Sequence, residues 1–265
     1  PPAPPTLYPC AAGIEVVFPS ADGTDTPPHS NLGGAGPDGG AEELRYYHAG
    51  VWNDRPFDVV VTTTTPGYAP VDASATGLVA EEGGQMAQIS LPADGSSPLE
   101  LTFTMVDSET GEAVQVGEFY FTIFDIDGDG GAATREEVKV TGESMFALHE
   151  PTNIVVGDAG TFYSCGVADE CAYPTAGDGI VQADSDEAVV CPSADGDYGA
   201  CPHRADDRLD PWGLGDAQLA RAVTFTFVDT SSFTVSVLSH SSEDTRLLFG
   251  GASNLVPSCK DPYPP

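Results

Sequence analysis

Residues 121–140 read FTIFDIDGDGGAATREEVKV, and their side chains are spaced for one kind of chemistry. Asp125, Asp127 and Asp129 alternate, Gly130 follows, and Glu136 closes the pattern D-x-D-x-D-G-x5-E. Alternating carboxylates before a glycine let the backbone curl round a hard cation, as in a loop of the EF-hand type. The oxygen ligands would be the side chains of Asp125, Asp127, Asp129 and Glu136 and the backbone carbonyl of Gly131, with Ala133 serving only through water. Such an all-oxygen set suits calcium (Ca2+). An EF-hand sits between helices, whereas FYFTIF and EVKV on the two flanks alternate with period two, so this loop joins strands. Calcium needs the oxygen geometry and not the helices. Its expected role is structural: it relieves the repulsion of crowded aspartates and pins a turn between two central strands. The plainer reading is a polar turn in a chain rich in Asp and Gly.

Sulfur is the second chemistry. Cys10, Cys165, Cys171, Cys191, Cys201 and Cys259 form no C-x-x-C pair, and no histidines stand at zinc-finger spacing, so zinc is not expected. An even count on an acidic, Gly/Pro-rich chain favours disulfides and an oxidising compartment. Neighbourhood in sequence suggests Cys165 with Cys171, Cys191 with Cys201, and Cys10 with Cys259, the last tying the two ends within one molecule or between two; other connectivities stay open. The histidines His29, His48, His149, His203 and His240 are scattered, and nothing resembles a nucleophile elbow. No catalytic residue is assigned, and an enzyme is not expected.

The elements that must position these groups read as strands. LRYYHAGVW (44–52) and FDVVVTTTT (57–65) are separated by the turn residues NDRP. ATGLVA (75–80), QMAQISL (85–91), LELTFTMV (99–106), EFYFTIF (118–124) and EVKVTG (137–142) follow, then NIVV (153–156) and TFYS (161–164). AVTFTFVD (222–229), FTVSVLSH (233–240) and RLLFGG (246–251) come late. EFYFTIF is apolar on both faces and so belongs in the middle of a sheet. Frequent short strands with turn residues between them predict an all-β fold, a two-sheet β-sandwich of jelly-roll type. A long disulfide-held Cys-rich loop over 165–215 and one short helix, DAQLARA (216–222) capped by Asp216, complete it.

The ends differ from the body. Residues 1–18 form a Pro-rich arm, opening PPAPP as a processed N-terminus would, and then a short strand, GIEVVF (13–18). Residues 19–43 have almost nothing to bury and read as a flexible linker. The sandwich is placed at 44–259, with a Pro-rich tail at 260–265. The first strand is thus tethered to the body. Ile14, Val16, Val17 and Phe18 could complete an open sheet edge, their own or that of an identical subunit.

Composition limits the partners. The chain has 265 residues with 41 acidic and 9 basic ones, a formal charge of -32, and its only lysines are Lys139 and Lys260. Nucleic acid and anionic lipid would be repelled. No run approaches the length of a membrane helix, so membrane insertion is not expected. Cations, glycans and copies of the same chain remain. No N-x-S/T sequon is present, so any sugar attached to this chain would sit on Thr or on hydroxylated proline of the Pro-rich ends.

The segments LRYYHAGVWNDRPFDVVVTT (44–63), FYFTIFDID…EEVKVTG (119–142) and DPWGLGDAQLARAVTFTFVDTSSFTVSV (210–237), in this order, resemble a family of secreted β-sandwich domains. These occur in surface and fibrous proteins of aquatic microbes and algae, filament subunits included. The resemblance implies a secreted, non-catalytic role and ties Asp125, Asp127 and Glu136 or Glu137 to the motif. Residues and resemblance together lead to one expectation: a structural subunit of an extracellular fibril or cell-surface coat, stabilised by calcium and disulfides. It would assemble head-to-tail by N-terminal strand addition. The alternative is a monomeric calcium-dependent glycan-binding or adhesion module, presenting Trp52, Trp212 or Tyr198 beside the metal.

Overall fold

The computed structural model describes residues 16–18, 26–79, 86–92, 97–126, 136–148, 152–157, 160–164, 191–192, 198–199, 216–239 and 246–251. For residues 191–192, 198–199 and 216–217 it describes the backbone alone. The strands are β1 (His29–Ser30), β2 (Leu44–Trp52), β3 (Arg55–Thr63), β4 (Gly77–Leu78), β5 (Ala87–Ser90), β6 (Leu99–Asp107), β7 (Phe119–Phe124) and β8 (Glu136–Thr141). They continue with β9 (Met145–Leu148), β10 (Ile154–Val156), β11 (Thr161–Ser164), β12 (Cys191–Pro192), β13 (Tyr198–Gly199), β14 (Val223–Phe227), β15 (Ser232–Ser239) and β16 (Arg246–Gly250). One helical turn, α1 (Asp216–Leu219), stands where a longer helix to residue 222 is predicted. Residues Arg221 and Ala222 instead close turns onto Gln218 and Leu219 and lead straight into β14.

Two antiparallel sheets form a β-sandwich. One has eight strands in the order β1-β2-β3-β6-β15-β8-β11-β10, the other six in the order β4-β5-β16-β7-β14-β9. Alternation explains the layers. On β6, Leu99, Leu101, Phe103 and Met105 face inward, and on β8 Val138 and Val140 do. β7 is central, between β16 and β14, and apolar on both faces. Phe119, Phe121 and Ile123 belong to the main core, while Phe124 joins a second cluster with Met86, Leu219, Ala222 and Leu248.

Aromatic rings fill the space between the sheets. Phe103 meets Phe121 edge-on at 5.1 Å, stacks on Phe233 at 4.9 Å and touches Phe249 edge-on at 5.3 Å. Edge-to-face pairs of this kind add to the gain from burial alone. The sheets are also tied by polar bonds. The Tyr46 hydroxyl on β2 donates to the Gly77 carbonyl on β4 at 2.7 Å, and full burial pushes its pKa well above the usual value. The Ser30 hydroxyl donates to the Thr76 carbonyl at 2.8 Å.

Two readings of the N-terminal third are corrected. Residues 26–43 are anchored to the sandwich at His29–Leu32 rather than free, although most of the stretch is exposed. Leu32 is buried, the Asn31 N–H donates to the Glu43 carbonyl at 2.9 Å, and β1 pairs with β2. Polar backbone and side-chain bonds, not apolar periodicity, anchor this stretch. The sandwich therefore begins before residue 44. Val16, Val17 and Phe18 form no regular ladder: in this single chain they are an insert between the sheets. The Val17 N–H donates to the Ala49 carbonyl at 2.7 Å. Phe18 meets Tyr46 at 4.6 Å and Phe249 at 5.4 Å. Val16 lies so close to Gly251 that a Cβ there would overlap the Val16 carbonyl. Ile14 is outside the described residues.

The Ala49 carbonyl is available because β2 is bulged. Its register with β3 shifts between Tyr46 and Gly50, and His48 takes a left-handed φ of 50°. Asp58, on β3, pins this bulge. Its Oδ1 accepts the His48 N–H at 2.9 Å and the Ser108 hydroxyl, and its Oδ2 accepts Arg45 Nε at 2.7 Å and Nη2 at 2.7 Å. Burial opposes the Arg45 charge, but the Asp58 bond and the Asp58 charge outweigh it and hold the guanidinium pKa above its usual value.

Phe18→Ala is expected to cost about 3–5 kcal/mol in urea denaturation, as for a buried aromatic. Asp58→Ala is expected to cost at least about 2 kcal/mol, because His48 and Ser108 lose a charged acceptor. Val51→Ala, at an exposed site, is expected to stay within about 0.5 kcal/mol. If Phe18→Ala proves as mild as Val51→Ala, residues 16–18 are not part of the core.

Candidate functional site

The predicted cation loop leaves β7 at Asp125 and rejoins the sandwich at Glu136. Asp127, Asp129 and Gly131 lie outside the described residues, and so do Cys10, Cys165, Cys171, Cys201, Cys259 and the side chain of Cys191. Among the described residues, no three His, Cys, Asp or Glu side chains form a cluster able to hold a metal. The two ends of the loop are informative nonetheless. Asp125 takes a left-handed φ of 55°, so the chain turns sharply where β7 stops. The Ile126 N–H donates to the Arg221 carbonyl at 3.1 Å and fixes that turn. Glu136 opens β8 on the same face as Val138 and Val140 and is only 8% exposed. A carboxylate on the core face requires charge or hydrogen-bond partners.

The topology changes what such a loop would join. β7 belongs to the six-stranded sheet and β8 to the eight-stranded one. The two strands that flank the loop therefore lie in different layers and are not paired with each other. Calcium held by Asp125 and Glu136 would tie one sheet to the other.

The second site lies at the opposite end of the sandwich. Asn53 and Asp54, with φ of 51° and 60°, form a two-residue turn between β2 and β3. Turns with two left-handed residues match the twist of a hairpin, which explains the Asn-Asp pair. Trp52 and Arg55 are register partners across that turn. The Trp52 ring lies over Gly117, where a Cβ would sit 2.9 Å from it. Arg55 Nη2 pairs with Asp107 Oδ2 at 2.8 Å. Asp107 Oδ1 accepts the Thr110 N–H at 2.9 Å, the Thr110 hydroxyl at 3.0 Å and the Glu109 N–H at 3.1 Å. The Gln115 amide donates to the Asp229 carbonyl at 2.6 Å. Trp52, Asn53, Arg55, Asp107, Val114 and Gln115 are among the residues that line a groove of about 250 Å³. The Thr110 N–H bond, with the Thr110 hydroxyl, the Glu109 N–H and the Arg55 charge, holds the Asp107 pKa below the usual carboxylate value.

Of the aromatics expected beside the metal, only Trp52 has a described side chain, and it is not beside Asp125. Trp52 lies at Gly117, before β7 begins, whereas Asp125 follows its end. Six strand residues separate the two ends by about 20 Å at roughly 3.3 Å per residue. The groove residues other than Trp52 escape sequence reading because they come from separate segments. The available signal is the NDRP turn, which places Trp and Arg side by side.

No protein-family model matches the chain, and no curated protein does. Among solved structures it is similar to the adhesin domain of PrgB from Enterococcus faecalis bound to DNA, with 12% identity and a TM-score of 0.41, covering 80% of this chain and 68% of that one. It is also similar to the N-terminal domain of the Streptococcus gordonii adhesin Sgo0707, with 10% identity, a TM-score of 0.39 and 78% and 47% of the two chains covered. A third is the glucan binding protein C of Streptococcus mutans, with 12% identity, a TM-score of 0.34 and coverage of 88% and 67%. The first two are described as adhesins and the third as mediating adherence.

Calcium added to chelator-treated protein is expected to raise Tm, by the equivalent of about 2.7 kcal/mol at a hundredfold excess over Kd. Asp125→Asn and Glu136→Gln should abolish the gain; a Tm indifferent to calcium and chelator in the parent chain identifies a plain polar turn. A second expectation concerns acid. The folded pKa of Asp107 is depressed, so its contribution to stability is complete above the ordinary aspartate value of about 3.9 and is lost as pH falls through the folded value. The stability difference between the parent and Asp107→Asn, read from urea midpoints, should be largest near neutral pH and vanish in acid.

Proposed function

We propose that the chain is a structural subunit of an extracellular fibril or cell-surface coat, in which the N-terminal segment of one copy can fill the slot of the next. The insertion of Val16–Phe18 between the sheets carries this reading. The segment contributes two buried core side chains, yet belongs to neither ladder. Its seat is complete without it: the Ala49 carbonyl on one side, Gly251 on the other, and Tyr46 and Phe249 around the ring. A slot that takes its own segment takes the identical segment of a second copy with the same contacts. Residues 19–25 give a tether of up to about 25 Å when extended. Donation from each copy to the next is a heterologous contact, which propagates into a filament unless it closes into a ring.

Calcium and disulfides fit this role as reinforcement. A cation on the β7–β8 crossover would resist separation of the layers. Val16 and Gly251 touch, so Cys10 and Cys259, six residues before and eight after them, are within chain reach of each other. Six cysteines and the strong acidity suit a secreted, surface-exposed protein with no enzymatic task.

Purified full-length chain at high concentration in calcium is expected to show linear assemblies by electron microscopy. Deletion of residues 1–18 should abolish them, and a separate peptide of residues 1–18 added in excess should shorten them. Filaments formed by the truncated chain, or a full-length chain that stays monomeric at every concentration, would show the reading to be wrong.

A further inference from the structure

We infer that the groove at the tip of the β2–β3 hairpin is a binding site for a neutral saccharide, with Trp52 as its stacking platform, Arg55 and Asn53 as its polar contacts and Asp107 holding Arg55 in place. This stands independently of the assembly reading. The groups are arranged before any ligand arrives. Trp52 is held against Gly117, a position that has no room for a side chain. Arg55 is fixed opposite Trp52 by strand register and by its bond to Asp107, yet its side chain is 56% exposed. Asp107 is in turn fixed by the Glu109 and Thr110 donors. Pre-arranged groups of this kind reduce the ordering cost of binding.

The chemistry selects the ligand class. A sugar ring has apolar C–H faces, which suit an aromatic ring, and hydroxyls that both donate and accept. Arg55, held by the buried Asp107, offers exposed guanidinium donors, and the Asn53 amide offers a donor and an acceptor in one group. A cationic ligand meets Arg55 and a carboxylate that is already neutralised. A polyanion meets a chain of formal charge -32. A space of about 250 Å³ lies below the roughly 300–1,000 Å³ of sites for drug-sized ligands, so it holds one or two sugar rings.

The test uses the full chain with Trp212→Phe, so that fluorescence reports Trp52. The probes are neutral glucose, galactose and mannose disaccharides, a sulfated disaccharide and a trimethyl-lysine peptide. Saturable quenching by at least one neutral disaccharide is expected, with Kd on the order of 0.1–1 mM. Titration calorimetry should show Trp52→Ala weakening binding at least tenfold and Arg55→Ala at least fivefold. Arg55 is exposed, so its variant reports on the groove even if Trp52→Ala unfolds, which circular dichroism would reveal. Deletion of residues 1–18 and removal of calcium should leave the affinity within twofold, which separates failure of this site from failure of assembly. Overturning results are the absence of saturable quenching by every neutral disaccharide, affinity unchanged in both groove variants, or preference for the sulfated or trimethyl-lysine probe.

Discussion

The buried Asp58 carboxylate is the interaction on which the arrangement depends. It lies on the face of β3 turned away from Phe57, Val59 and Val61, buried among three donors: the Arg45 guanidinium, the Ser108 hydroxyl and the His48 amide. By accepting from His48 it holds a bulge that would otherwise be an interruption in the β2–β3 ladder. The bulge turns the Ala49 carbonyl away from β3 and toward Val17. A polar bond on one strand thereby decides where an apolar segment remote in sequence can dock. Such a carboxylate is costly to bury alone and well placed only when every lone pair is used.

The two ends of the sandwich carry different chemistry for a topological reason. At one end β7 stops in one sheet at Phe124 and β8 opens in the other with Glu136 on the core face. At the other, a tight hairpin and the 107–118 segment bring a tryptophan, an arginine and an aspartate together. Because β7 runs the length between them, a cation at one end would act on the other only through the rigidity of the core. Phe121 and Phe233, packed at 5.0 Å midway, supply that rigidity.

Much of the fold was legible in the sequence because strand periodicity is local. β2 was readable to the residue, and β6 and β7 to within one, since their inward and outward residues alternate or run apolar throughout. β1 and the turn at Leu32 were not, because hydrogen bonds of Ser30 and Asn31 hold them and no apolar repeat announces these. β9 was missed as well: Met145 and Phe146 are each 46% exposed, so no buried face marks the strand. That β7 and β8 belong to different sheets is a property of pairing partners far along the chain. The motif D-x-D-x-D-G-x5-E therefore disclosed candidate ligands without disclosing what they would join. The groove was legible only as Trp52, since Asp107 and Gln115 acquire meaning from proximity to the hairpin tip.

The contact of Val16 with Gly251 has a mechanical consequence. Tension entering at one of these residues and leaving at the other bypasses the interior, because the two points already touch. Such a pull peels Val16–Phe18 from its seat, breaking the Val17–Ala49 bond and the Phe18 contacts in succession. The sandwich thus has a compliant seam where Val16 meets Gly251, and a covalent link across that seam would turn a weak point into a clamp.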